Sequence, residues 1–219
     1  MNIDNTPWNE GMKRTQYHVQ TPQEIRHELS NAKVFSEMDM GFGYHQMELD
    51  EESSVKAIFQ THEGCHKMNR LYFGPTAGTG IFHSGVRKAL QGVPGTSSIH
   101  DNIIVHGVDF EDHARNLIAC LERCAEKGIT LKLSKCNFGQ TEIEWFGRVF
   151  SAHGVSADPN KIKAIIEAGR PTSLEEVRSL LQACQYNAKF LFDSGEINES
   201  YEDVTKPLRE ILHKDVKFI

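Results

Sequence analysis

The spacing of apolar residues changes along the chain, and each change marks an element. Lys33 to Met40 reads as a strand. Val55 to Phe59 and His66 to Leu71 flank His62-Glu63-Gly64, the composition of a hairpin tip. Between Gly80 and Leu90 the residues Ile81, Phe82, Val86, Ala89 and Leu90 recur at helical spacing. Ile99 and Ile103 to Val105 lie either side of His-Asp-Asn, a tight-turn sequence. A longer helix is predicted from a cap near Asp109 to a stop at Gly128, with Ala114, Leu117, Ile118, Leu121, Cys124 and Ala125 facing inward. Ile129 to Leu133 is short and extended, and Ile143 to Ser151 with the His153-Gly154 turn predicts another hairpin.

Three further helices have start signals. Thr21-Pro22-Gln23-Glu24 combines a cap, a first-turn proline and a glutamate three residues after the cap, predicting a helix to about Leu29. Asp158-Pro159 starts another. Thr172-Ser173-Leu174-Glu175-Glu176 starts a third, with Leu174, Val177, Leu181 and Cys184 facing in. From Lys33 the order is strand, hairpin insertion, helix, strand hairpin, helix, strand. That order predicts an α+β, ferredoxin-like split arrangement, an antiparallel sheet with helices on one face, and a boundary near residues 155–158 before a small helical unit.

Composition narrows the classes. With 219 residues, 39% hydrophobic and 25% charged, the chain can bury a core in one or two units. A net charge of -6 and a pI near 6.0 argue against a small basic DNA-coating protein, although a locally acidic catalytic sheet is compatible with nucleic acid. No apolar run reaches membrane-spanning length and the first residues lack a signal peptide, so the expectation is an intracellular protein with no membrane partner. Five cysteines at irregular spacing suit reduced thiols. Cys120 and Cys124, one helical turn apart, are expected in the core rather than on a metal.

Two segments carry candidate chemistry. Phe35 to Gln46 centres on Asp39, and Ser97 to Gly107 contains Asp101 followed by Asn102. Two carboxylates brought together from strand ends could bridge a pair of divalent cations that activate a hydroxyl and neutralise a triphosphate. Taken singly, an aspartate at a strand end or an Asp-Asn turn is ordinary, and spacing alone favours the turn reading. His62-Glu63-Gly64-Cys65-His66 matches HExxH, but that motif binds zinc only on a helix, and Gly64 predicts a hairpin tip. Asn198-Glu199-Ser200 matches a glycosylation acceptor, which has no meaning without secretion.

The blocks resemble, in order and over nearly the whole chain, the reverse transcriptase of gypsy-type LTR retrotransposons. Lys33 to Leu49, KVFSEMDMGFGYHQMEL, resembles the family's KVFSKLDLxxGYHQxxL. Thr61 to Gly74, ALQGVPG with SSIHDNIIVHG, Glu126 to Ile165, and RPTSLEEVRSLLQACQYNAKFL with VTKPLRE are similar to successive later blocks. The resemblance implies an RNA-directed DNA polymerase that adds nucleotides to a primer 3′-OH using two magnesium (or manganese) ions. Its implied partners are an RNA or DNA template-primer, a dNTP and the other domains of a Pol polyprotein. The implied organisation is a residual fingers segment and leading helix over 1–32, a palm with a fingers hairpin over 33–157, and a helical thumb or connection over 158–219.

Position by position, the resemblance implies that Asp39 and Asp101 are metal ligands and places Asn102 in the catalytic pair. Met40, Tyr44, Phe73 and Gly74 correspond to nucleotide-site residues, with Tyr44 as the aromatic that excludes a 2′-hydroxyl. Trp145-Phe146-Gly147 corresponds to the primer grip, and Lys135 to a lysine suggested to protonate pyrophosphate. The chain also departs from the pattern. Asn102 replaces the second aspartate, His83 replaces a glutamine, residues 75–80 replace a proline-bearing loop, and Asn5-Thr6 replaces an acidic start. The chain starts just upstream and Asp215 to Ile219 precedes any RNase H acid cluster, so a truncated enzyme lacking part of its fingers is expected. Little or no primer extension is therefore expected of the chain alone, and Asn102→Asp is expected to raise activity or metal affinity if Asn102 is the main defect. The alternative is a remnant that only binds nucleic acid or protein.

Overall fold

The structure is a computed structural model that describes residues 5–13, 24, 28, 29, 31–145, 147–192 and 200–212. It divides into two compact units, Met1–Ile143 with Ser151–His153, and Glu144–Phe150 with Gly154–Ile219. The helix expected from Thr21 lies largely outside the described residues, as do Phe146, most of the Asn198 acceptor and the last residues from 213.

The first unit runs α1 (Thr6–Gly11), β1 (Val34–Asp39), α2 (Glu51–Lys56), β2 (Ile58–Thr61), β3 (Gly64–Lys67), α3 (Gly78–Ala89), β4 (Thr96–Ile99), β5 (Asn102–Gly107), α4 (Phe110–Lys127) and β6 (Asn137–Gln140). One sheet has the order β4-β5-β1-β6, and β1 pairs antiparallel with both neighbours while β4 pairs antiparallel with β5. With α3 between β1 and β4 and α4 between β5 and β6, this is the ferredoxin-like βαββαβ order expected from the pattern. Met38, Ile103 and Val105 project to one face and pack with Phe82 and Val86 of α3 and Cys120 and Cys124 of α4. Burying such side chains contributes about 1.5–3 kcal/mol each.

Local chemistry sets the element ends. The Asp50 carboxylate accepts from the Ser53 N–H and starts α2, so Val55 and Lys56 are helical and the hairpin strands are shorter than the pattern predicts. Thr61 faces Gly64 across the tip, leaving His62 and Glu63 as a two-residue turn, which excludes the zinc-helix geometry. Asp109 caps α4 by accepting from Asp112 N–H, and Gly128 closes it at φ 69°.

The inward face of α4 is rotated from the expected one. Ile118 and Leu121 are exposed, and His113, Asn116, Cys120 and Cys124 are buried. Two polar residues hold core-facing positions because each has a built partner. The His113 Nε2 pairs with the Ser36 hydroxyl at 2.8 Å, and the Asn116 amide donates to the His106 carbonyl at 2.9 Å. Gly107 permits this approach, since a side chain there would lie 2.3 Å from the His113 backbone nitrogen. Cys120 and Cys124 are free thiols in the core, as expected.

The second unit holds most of a three-stranded sheet, β7 (Glu142–Trp145), β8 (Arg148–Ser151) and β9 (Gly154–Ala157), in that order, with helices α5 (Pro159–Glu167), α6 (Leu174–Phe192) and α7 (Tyr201–Ile211). Asp158 caps α5 by accepting from Asn160 N–H. Most of this sheet clusters with the helices, upstream of the boundary expected near 155–158. Among the described residues no helix is long and apolar enough to cross a membrane.

Candidate functional site

The site grows from one strand pairing. Asp39 lies opposite Asn102 across β1 and β5, and β4 returns to β5 through the two-residue turn His100-Asp101. His100 takes φ 50°, a left-handed conformation that costs a non-glycine residue on the order of 1–3 kcal/mol and persists only where its surroundings hold it. The Asp101 carbonyl accepts from Met40 N–H at 2.7 Å, which ties the turn to the end of β1. Asp101 is therefore presented beside Asp39, and Met40 lies at the same junction.

The charges confirm the proximity. Burial first, and then the negative charge of Asp39, raise the Asp101 carboxyl above the usual carboxylate range, while His100, His83 and Lys135 pull it back. Lys135, on a 3-10 turn at Leu133–Lys135, places Nζ 3.1 Å from Asp39 Oδ2. His83 on α3 approaches His100 at 3.2 Å between Nε2 and Nδ1, and burial, then His100, lower its pKa. Gly43 lies close against Phe82 and Asp101. A methyl group there would stand 2.8 Å from Phe82 Cζ and 3.2 Å from Asp101 Oδ1.

Asn102 does not stand alone. Its side-chain amide donates to Glu37 Oε1 at 2.8 Å, so the neutral residue of the pair is held from β1, two residues before Asp39. Gln46 was another contributor not singled out from the sequence. Its amide donates to the carbonyls of Gly41 and Thr130 and its oxygen accepts from Thr130 N–H, fixing the loop that follows Asp39. The GYHQ block carried that signal, but only the fold supplied its partners.

The other expected site residues separate into two groups. Tyr44, on a 3-10 turn at Gly43–Gln46, is buried, stacks on Phe82 at 4.6 Å and lies 4.1 Å from the ring of Phe73. Its hydroxyl donates to Thr79. Phe73 is 61% exposed, so the two rings form a step with one open face. Gly74, at φ 125°, packs against Asn5, and its carbonyl accepts from the Asn9 amide. Trp145 and Gly147 belong to the second unit: Trp145 is buried against Phe150, and Gly147 turns at φ 63° under Lys161.

Among the described residues no three or more histidine, cysteine, aspartate or glutamate side chains gather as a closed metal site. The two carboxylates nevertheless suit a hard cation of the magnesium type, which is commonly held by one or two carboxylates and completed by substrate phosphates and water. The Lys135 ammonium lying on Asp39 shows that positive charge is favoured at that spot.

A family model described as Reverse transcriptase (RNA-dependent DNA polymerase) matches residues 2–150. The chain belongs to the reverse transcriptase family. Among curated relatives, the Retrovirus-related Pol polyprotein from transposon opus of Drosophila melanogaster is 31% identical over 182 residues, 82% of this chain and 18% of the relative. The Pol polyprotein from transposon gypsy of the same organism is 28% identical over 206 residues, 93% of this chain and 20% of the relative. The chain thus spans about a fifth of these relatives, and the gypsy-type resemblance is supported. Among solved structures, the foamy viral protease-reverse transcriptase dRH in complex with ds DNA superposes with a TM-score of 0.83 at 20% identity, covering 95% of this chain and 36% of that one. The same viral protease-reverse transcriptase with an RNA/DNA hybrid gives 0.74 at 19% identity, covering 95% and 28%. At these identities the likeness shows the fold, and the reverse transcriptase fold here is an α+β polymerase palm with its acidic pair at the β1–β5 end.

Proposed function

We propose that this chain is the polymerase portion of a retrotransposon reverse transcriptase and performs templated addition of deoxynucleotides to a primer 3′-OH. The observation that carries the reading is the juxtaposition of Asp39 and Asp101 at the end of two paired palm strands, in a chain of this family. Asp39 and Asp101 would hold the magnesium ions, with the Met40 backbone beside them. Bound there, magnesium supplies activation of the primer hydroxyl and neutralisation of the triphosphate.

The chain's own residues do the rest. Asp101, whose carboxyl is raised first by burial and then by the negative charge of Asp39, lies beside a second carboxylate, an arrangement that suits a bound cation. Lys135, whose Nζ lies 3.1 Å from Asp39 Oδ2, would give up that contact to a bound cation and would then be available to the leaving pyrophosphate. Tyr44, immobilised between Phe82 and Phe73, is a rigid wall against a 2′-hydroxyl, and Phe73 offers an exposed face for the nucleotide. Gly74 keeps the loop after Phe73 compact against α1, and Trp145-Phe146-Gly147 would position the primer. Residues 1–32, 33–157 and 158–219 would act as fingers segment with leading helix, palm with its fingers hairpin, and thumb or connection. Template-primer, dNTP and other Pol domains are the proposed partners.

Primer extension on a primed RNA template tests this. The expected result is slow incorporation that requires a divalent cation and disappears in Asp39→Asn; incorporation unaffected by that substitution would overturn the reading.

A further inference from the structure

Two positions that depart from the family blocks meet in space. Glu37 stands where the block KVFSKLDL has lysine, and Asn102 stands where the aspartate pair has its second acid. The Asn102 amide donates to Glu37 Oε1 at 2.8 Å, and the contact lies on the sheet face that also carries Asp39, because Glu37 and Asp39 are two residues apart on β1 and Asn102 is opposite Asp39. A Lys–Asp pair and a Glu–Asn pair place complementary groups at the same two positions with donor and acceptor exchanged. Asn102 therefore reads as one half of a matched pair rather than as an isolated loss.

We propose that Glu37 is a positioning residue of the polymerase site and that it fixes Asn102 and through it the start of β5 where Asp101 is presented. This rests on the polymerase reading above. It reverses the simple expectation for Asn102→Asp. That substitution would set a second carboxylate against Glu37 at hydrogen-bond distance, where like charges repel and the amide donor is lost. The turn carrying Asp101 would loosen, so adding the aspartate would weaken the site it was meant to restore.

The test is a pair cycle in the full chain: Asn102→Asp, Glu37→Gln, and Glu37→Gln with Asn102→Asp, which reverses the direction of the hydrogen bond while keeping both side-chain shapes. Thermal melting near neutral pH should show Asn102→Asp lowering the Tm by about 2–8 °C and the double variant recovering most of the loss. Magnesium-dependent primer extension should fall in Asn102→Asp and return toward the parent level in the double variant. A double variant as unstable as Asn102→Asp overturns the pairing, whether or not either folds well. Asn102→Asp that keeps its Tm and extends primers faster overturns it as well. If the parent extends a primer and the double variant recovers its Tm but not its extension, the pair stands as structure and its positioning role is refuted; if the parent itself shows no magnesium-dependent extension, the polymerase reading fails while the Tm cycle still decides the pairing.

Discussion

Gly43→Ala separates two opposite expectations at the acidic site. Gly43 has no positive φ among the strained positions, so alanine is conformationally permitted, and reduced freedom of the unfolded chain alone would stabilise the protein by about 0.4–1 kcal/mol. The packing argues the other way. The new methyl would meet Phe82 Cζ at 2.8 Å and Asp101 Oδ1 at 3.2 Å. Phe82 is 1% exposed and stacked on Tyr44, so its ring has little room to retreat. Overpacking of this kind typically costs about 1–3 kcal/mol, which exceeds the entropic gain and lowers the Tm by about 2–8 °C in a chain of this size. Primer extension should drop further than the Tm change explains, because the carboxylate of Asp101 is also displaced. Differential scanning calorimetry of Gly43→Ala, of Phe82→Leu and of the double variant checks the cause: Phe82→Leu costs stability by itself, but with the nearest atom gone the further loss on adding Gly43→Ala should be smaller than in the parent. A Gly43→Ala variant that melts at or above the parent temperature refutes the reasoning.

Ser36→Ala should cost about 2–4 kcal/mol in urea unfolding, because it strands the buried His113 nitrogen and removes the acceptor of Gly139 N–H; a loss under about 0.5 kcal/mol would contradict this. His106 and His113 have pKa values lowered first by burial, so the unfolded chain binds protons that the folded chain does not between the folded values and about 6.5. Stability from these groups is complete above about pH 6.5 and is lost as pH falls below it, and His113→Gln should flatten that dependence in urea melts at stepped pH. Lys135→Met should tighten manganese binding by no more than about fivefold, since an exposed ion pair is worth roughly 0.2–1 kcal/mol; weaker binding in a manganese titration would argue against competition at Asp39.

How much was legible in the sequence depended on the reach of each signal. Asp109, Asp158 and Gly128 are local caps and stops, and elements begin or end beside each of them, whereas the Asp50 cap was passed over and the helix it starts was read in part as strand. The βαββαβ order followed from the alternation of strand and helix periods, and the two aspartates meet because that order makes β1 and β5 neighbours. The inward face of α4 was misjudged because hydrophobic spacing assumes that buried means apolar, and His113 and Asn116 are buried through hydrogen bonds to Ser36 and the His106 carbonyl. Glu37 escaped notice for a similar reason. Its role comes from a cross-strand partner 65 positions away, and no local pattern marks it.

The central claim is that Asp39 and Asp101 form a cation-dependent site for templated nucleotide addition. Single-nucleotide incorporation on a primed RNA template, comparing the parent chain with Asp101→Asn across a magnesium titration, tests it most directly. The account predicts slow, saturable, magnesium-dependent addition in the parent and none above background in Asp101→Asn. Equal incorporation by both proteins, or no incorporation by the parent at any magnesium concentration, would contradict it.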